Sequence, residues 1–361
     1  MLGHSTTSSL FEPTRCLSTL SSKNDNGAVD GHHCPTQHEM TSLTSCLQHL
    51  GLYSFVAVYT KSQKSPQNLE RFRKFAGYLG MGSPRSLAQI RTFVLYERVC
   101  ALRADEEKDF WRHDCGLPPT FQSWFTVITL HIWMMNVRFR ALPSAYGRRY
   151  ADCLVEHFFQ DVEDRVRAIM QPTHDYKPYT FLSTFYVNPN APKSTDKNEK
   201  LSNAPERLVS QQLKIFKEQW TGFALSLDLA LVKGDMEMAA TVWRNLLGAR
   251  GASGIAFPDD PSAPTFRRAV NLVGGTVVNP EKVDFDKEAA TDDHSGVYDF
   301  PSSEADKYLE YPQLMLDIVH YIRRELYRLE AYSDEQIVNM DWRDLKFGQI
   351  RDNAEESTKS E

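Results

Sequence analysis

From Leu69 the pattern of apolar positions turns helical; between Ser86 and Leu102, Leu87, Ile90, Val94 and Leu95 lie near helical spacing, and a short segment follows through Phe110 and Trp111. Asp114-Cys115-Gly116-Leu117-Pro118-Pro119-Thr120 then breaks the pattern, and Thr120 is placed to cap what comes next. That next helix, from about Phe121 to Arg140, is apolar over most of its circumference. Its polar positions, Gln122, Thr126, Thr129, Asn136 and Arg140, fall at steps of three and four on a single stripe that includes Trp133. A helix of this kind belongs at the centre of a bundle. Tyr150 to Met170 is amphipathic instead: Leu154, Phe158, Val162, Val166 and Ile169 form one stripe, and Glu156, Asp161, Glu163, Asp164, Arg165 and Arg167 read as a solvated outer face.

Helical spacing resumes at Glu206, with Leu208, Ile215, Trp220 and Phe223, and runs to about Val232. Lys233-Gly234-Asp235 makes a tight turn, with Asp235 expected as the N-cap of a helix from Met236 to Leu247. So short a connection implies an antiparallel pair. Pro312 to Glu330 gives the last strong helix, with Leu314, Ile318, Ile322, Leu326 and Leu329 on one face and Arg323, Arg324 and Arg328 towards its end. The pattern predicts an all-α fold: one domain of packed antiparallel helices over residues 69–345. Two loop insertions interrupt it, at 187–205 and 248–303, and a polar tail follows at 346–361. Residues 1–48 carry no sustained periodicity. Ser and Thr enrich their first half, where Glu12 is the only acid and Arg15 and Lys23 the only bases, a composition read as a mitochondrial presequence and flexible lead-in, or as a polar N-terminus alone.

Composition narrows the class. Over 361 residues the chain is 41% hydrophobic and 11% aromatic, ample for a buried core. A net charge of -6 argues against a dedicated DNA-binding surface. Cys16, Cys34, Cys46, Cys100, Cys115 and Cys153 form no C-x-x-C pair and read as reduced thiols. No apolar run reaches the ~20 residues of a membrane span; Phe121 to Val137 comes nearest and is broken by six polar residues.

Signatures of catalysis are missing. The chain has no G-x-x-x-x-G-K-[ST], no G-x-G-x-x-G and no H-E-x-x-H. His131, His157, Cys115 and Cys153 could supply a metal or haem site, but their spacing matches no metal pattern and buried structural roles are the competing account. Trp124, Trp133, Trp220 and Trp243 are core residues by size, or anchors for a partner.

Three motifs in order carry a resemblance. The first is Phe121-x-x-Trp124-Phe125-x-x-x-x-Leu130-His131-x-Trp133-Met134-x-x-x-Arg138-x-Arg140. His157-Phe158-Phe159 with Val162-Glu163-Asp164-Arg165 follows. The third joins Trp220-x-Gly222, Asp228 and Gly234-Asp235 to Ala239-Ala240-x-x-Trp243-Arg244-Asn245-Leu246-Leu247. Together, over roughly residues 90–248, they resemble the ubiquinol–cytochrome c chaperone family. Leu227-Asp228-Leu229 departs from the Tyr-Asp-Glu-like triplet of that family, so of the three only Asp228 carries over.

The resemblance implies a non-catalytic assembly factor of complex III, peripheral on the matrix side of the mitochondrial inner membrane, with no cofactor and no metal. It implies three partners: newly made cytochrome b, a small partner assembly factor and, in fungi, the mitochondrial ribosome near its tunnel exit. Trp124, His131, Trp133, Arg138, Asp228, Asp235, Trp243, Arg244 and Asn245 become the expected partner-binding residues. A physical account is available: apolar client helices need an adaptable surface, for which Met134, Met135, Met236 and Met238 are suited, and Arg323, Arg324 and Arg328 could hold a charged rim. In the helix after Asp235, Met236, Ala239, Ala240, Trp243 and Leu247 are expected to pack on the preceding helix near Trp220 and Gly222. Two rivals stay open: a helical metal or haem enzyme, and a scaffold for a soluble partner.

Overall fold

The computed structural model describes residues 84–170, 176–189, 205–252, 296–339 and 341–351. The expectations for residues 1–48, for the domain start at 69 and for most of both insertions lie outside these. The chain divides into two compact units, Met1–Leu87 and Ala88–Glu361, and the helical bundle belongs to the second. Its described residues are all-α, with eight helices and no strand.

Helix α1 (Pro84–Leu95) passes through a π-turn, Tyr96–Cys100, into the short α2 (Arg103–Glu106), and a second π-turn spans Phe110–Asp114. α3 (Phe121–Arg140) is the central helix, buried continuously from Ser123 to Met135. The Thr120 hydroxyl accepts from Ser123 N at 3.3 Å, fixing its start as the sequence implies. α4 (Gly147–Met170) returns against α3. Gly147 permits that corner, since a Cβ there would lie 2.7 Å from Phe139 O. α5 (Glu206–Lys233) and α6 (Asp235–Asn245) form the hairpin, turning at Gly234 with φ of 108°, a conformation that favours glycine. A 3-10 turn, Ser302–Glu310, leads into α7 (Tyr311–Ala331), and α8 (Asp334–Asn339) follows. α3 packs on α4, α5 and α7, while α6 lies between α5 and α7.

That last placement corrects one expectation. The buried arc of α6 is Met238, Thr241 and Val242, while Met236 is 88% exposed. α6 faces two helices at once, so the arc it buries is set by both rather than by α5 alone. Asp235 opens the helix instead of capping it, and its carboxylate accepts from Arg323 at 2.8 Å.

The charged face of α4 is a second correction. Asp161 and Arg165 are fully buried and paired at 3.0 Å. Residues 176–189 fold over them: Arg165 donates to Thr180 Oγ1 and Phe181 O and stacks on Trp124, 4.4 Å from the ring centre, while Tyr96 donates to Asp161 at 2.5 Å. Periodicity along α4 cannot see a lid contributed by another segment.

The C-terminal residues strap the bundle. Buried Glu325 pairs with Arg324 and Arg328, Arg328 donates to the carbonyls of Asp344 and Lys346, and Arg324 donates to Gln349 O. Arg103 donates to Gly348 O at 2.6 Å, and Arg351 pairs with Asp114 and Asp317. The basic cluster read as a rim for partners is therefore spent inside the molecule, with Arg323 committed to Asp235.

Candidate functional site

The polar stripe of α3 marks its seam with α5. Gln122 donates to Gln219 at 2.8 Å. Two turns of helix from the other end, Trp133 donates from Nε1 to Asp228 at 2.9 Å, and Arg140 grips the same carboxylate through both terminal nitrogens at 2.8 and 2.6 Å. Burial pushes the Asp228 carboxyl up, but the bonds from Arg140 and Trp133 outweigh it and hold it below its ordinary range. Asp228 thus links α5 to α3 in the rotation observed.

That rotation has a consequence for the far side. Phe216, Phe223, Leu227 and Ala230 turn inward and are buried. At 100° per residue, Leu225, Leu229 and Val232 fall within about 50° of the opposite point, and they are 68%, 47% and 86% exposed. A Cβ at Gly222 would meet nothing within 4 Å, so this glycine opens the surface rather than admitting Trp220 or Trp243. The intervening hydroxyls are turned back onto the helix: Thr221 donates to Lys217 O and Ser226 to Gly222 O. About three turns of α5 thus present a bare face whose exposed side chains are mainly apolar, and Met236 extends it past the turn.

The nine residues singled out from the sequence lie in several places. Trp124 is buried against Arg165 and stacked on Phe121. His131 donates from Nδ1 to Val127 O at 2.8 Å, so Nε2 accepts from the Tyr321 hydroxyl at 2.9 Å. Burial, aided by the Arg103 charge, lowers its pKa to about 3 and keeps it neutral. Arg138 donates to the carbonyls of Leu329 and Tyr332 and pairs with Asp334. Trp243 donates to Arg250 O, Arg244 to Glu237 and Asn245 to Thr241 O. Only Trp133 and Asp228 meet directly. Asp235 and Arg244 are solvent-exposed near the ends of α6.

Among the described residues no three His, Cys, Asp or Glu side chains gather as a metal could require. His157 donates to Gln89 O and lies 2.7 Å from the Tyr179 hydroxyl, with burial lowering its pKa to about 4. Met134, Met135 and Met238 are core; of the four methionines proposed as a client surface, only Met236 reaches solvent. The bare face of α5 was missed in the sequence. Its signal was present, since Leu225, Leu229 and Val232 are apolar residues left over once the inward face has been assigned.

Comparison with known proteins converges on the same region. A family model described as Ubiquinol-cytochrome C chaperone matches residues 113–180 and 193–274, which hold α3, α4, α5 and α6. The chain is 32% identical over 145 residues to yeast (Saccharomyces cerevisiae) Protein CBP3, mitochondrial, covering 40% of this chain and 34% of that one. It is 29% identical over 135 residues to human ubiquinol-cytochrome c reductase complex assembly factor 1, covering 35% of this chain and 44% of the other. The Drosophila melanogaster protein of the same name is 27% identical over 169 residues, covering 45% and 51%. The aligned parts thus span between a third and about half of these relatives. No solved structure matches the chain.

Proposed function

The chain belongs to the ubiquinol–cytochrome c chaperone family, and from that premise we propose that it is a non-enzymatic assembly factor of the mitochondrial ubiquinol–cytochrome c reductase complex. Its client in this reading is newly synthesised cytochrome b, held before the complex closes around it. The observation that carries the reading is the bare face of α5. Apolar side chains are costly to leave in water, and a contiguous row of them marks a surface kept for a partner. The row from Leu225 to Val232 is about 10 Å long at 1.5 Å per residue and could shelter roughly a third of a bilayer-spanning helix.

The nine residues divide by position. Trp124, His131, Trp133, Arg138 and Trp243 build the scaffold; Asp228 links α5 to α3; Asp235, Arg244 and Asn245 present polar groups at the hairpin's ends, where a small partner protein or the ribosome could reach them. No described helix is long and apolar enough to cross a membrane; contact with the matrix side of the inner membrane is, in this reading, peripheral.

The test is a photo-crosslinking residue at Leu225 or Leu229 during mitochondrial translation. Adducts with nascent cytochrome b, and a fall in assembled reductase when the protein is absent, are the expected results. Normal reductase content without the protein would end the assembly reading. Adducts with soluble proteins alone would favour a scaffold.

A further inference from the structure

A second surface lies between α4 and α5, a groove of about 910 Å³ whose floor reaches α3 at Asn136 and Arg140. Its apolar bed is Ala151, Val155, Phe159, Leu213 and Trp220, and all but Ala151 remain partly exposed. Its two edges differ in charge. Along α4, Asp152, Glu156 and Glu163 line one edge, spread over about 16 Å at 1.5 Å per residue, with Arg148 one turn before Asp152 at its end. Along α5, Lys217 lines the other, its ammonium 5.7 Å from the centre of the Phe159 ring.

Among the described residues, the acidic edge is ion-paired at its two ends, Asp152 and Glu163, and not at Glu156 between them. Asp152 has Arg148 at 3.8 Å, with both side chains largely in water, and Glu163 shares Arg167 with Glu206. Glu156 is exposed. A bilayer-spanning helix would suit the bed but would strip water from these charges without offering partners, a net cost. An occupant with its own charges would not.

We propose that this groove docks an amphipathic helix of a partner protein, apolar where it meets Val155, Phe159 and Trp220, basic along the edge facing α4 and acidic along the edge facing Lys217. The length of the acidic edge matches about three turns of such a helix. Charge complementarity sets the direction in which such a helix lies. The proposal takes from the preceding reading only that the chain works with a partner; its test needs neither cytochrome b nor the reductase.

The full chain is titrated with a labelled synthetic helix carrying Leu and Ala on one face, Lys on one edge and Glu on the other, read by anisotropy. A second peptide has Glu on both edges. The first should bind at least about tenfold more tightly. The variant with both Asp152→Lys and Glu156→Lys, at exposed positions that leave helicity unchanged, should reverse that order. The proposal is overturned if neither peptide binds, if the order survives the charge reversal, or if binding is lost in Leu225→Lys but kept in the rim variant. Self-association abolished by the rim variant, without peptide binding, would give the groove to a second copy of this chain and equally overturn it.

Discussion

Helix α5 carries the same kinds of residue in two opposite directions. Phe216, Phe223 and Leu227 face inward and are buried, while Leu225, Leu229 and Val232 face solvent. Residue type does not separate the two faces; the rotation of α5 does, and the clamp of Trp133 and Arg140 on Asp228 joins the helix to α3 in that rotation. Burial of the inner row contributes stability, whereas the outer row is left free to contribute binding.

The contrast can be broken most severely from the inside. Phe223→Ala should cost about 3–5 kcal/mol, because the cavity it leaves lies between packed helices. Chemical denaturation should show a large fall in midpoint with complex assembly lost in proportion to abundance.

Acid should act on the interior and spare the outer row, which contains no titrating group. The folded pKa of His131, about 3, lies below its unfolded value near 6.5, so the unfolded chain binds the extra proton. The stabilising contribution is complete above about pH 6.5 and falls as pH drops towards the folded value; between about pH 7 and pH 5 the loss is about 2 kcal/mol. His157, lowered to about 4, adds a loss of similar size over the same range, so melting curves should slope by the sum of the two and His131→Gln should remove about half of the slope. An unchanged slope would mean that His131 is hydrated in solution.

Asp228→Ala tests the clamp itself. It strands the buried Trp133 N–H and frees Arg140, for an expected cost of about 1–2 kcal/mol. If the clamp sets the rotation, crosslinking yield from Leu225 should drop by more than the stability loss explains. A yield that simply follows abundance would leave the rotation to packing.

The smallest effect on the fold should come from outside. Leu225→Lys is expected to change stability by no more than about 0.5 kcal/mol, since the side chain touches little. It should nevertheless lower reductase assembly strongly, giving a folded, abundant and inactive protein.

The central position of α3, the hairpin at Gly234 and the core stripe of α7 could be read from periodicity, because each depends on residues close in sequence. Asp161 and Arg165 could not, since their burial depends on a cover from residues 176–189 and on Trp124. Arg324 and Arg328 misled for the same reason: their partners, from Asp344 to Gln349, carry no pattern of their own. Of the proposed site, Trp133 and Asp228 stood within the motifs, but their contact links positions 95 residues apart. The bare face of α5 required knowing which way the helix turns, and that information resides in contacts between distant positions.

The strap also bears on how the protein is made. Arg103 reaches Gly348 across 245 positions, and Arg351 reaches Asp114 across 237. Contacts so far apart close late, because the entropy of joining distant segments must be met before they repay it. During synthesis, α3 and α4 would emerge long before Gly348 and Arg351 were available to fasten them. A chain whose proposed task is to shield a half-made membrane protein would itself pass through a stage with its aromatic core uncovered, and in that interval it would be a client before it became a helper.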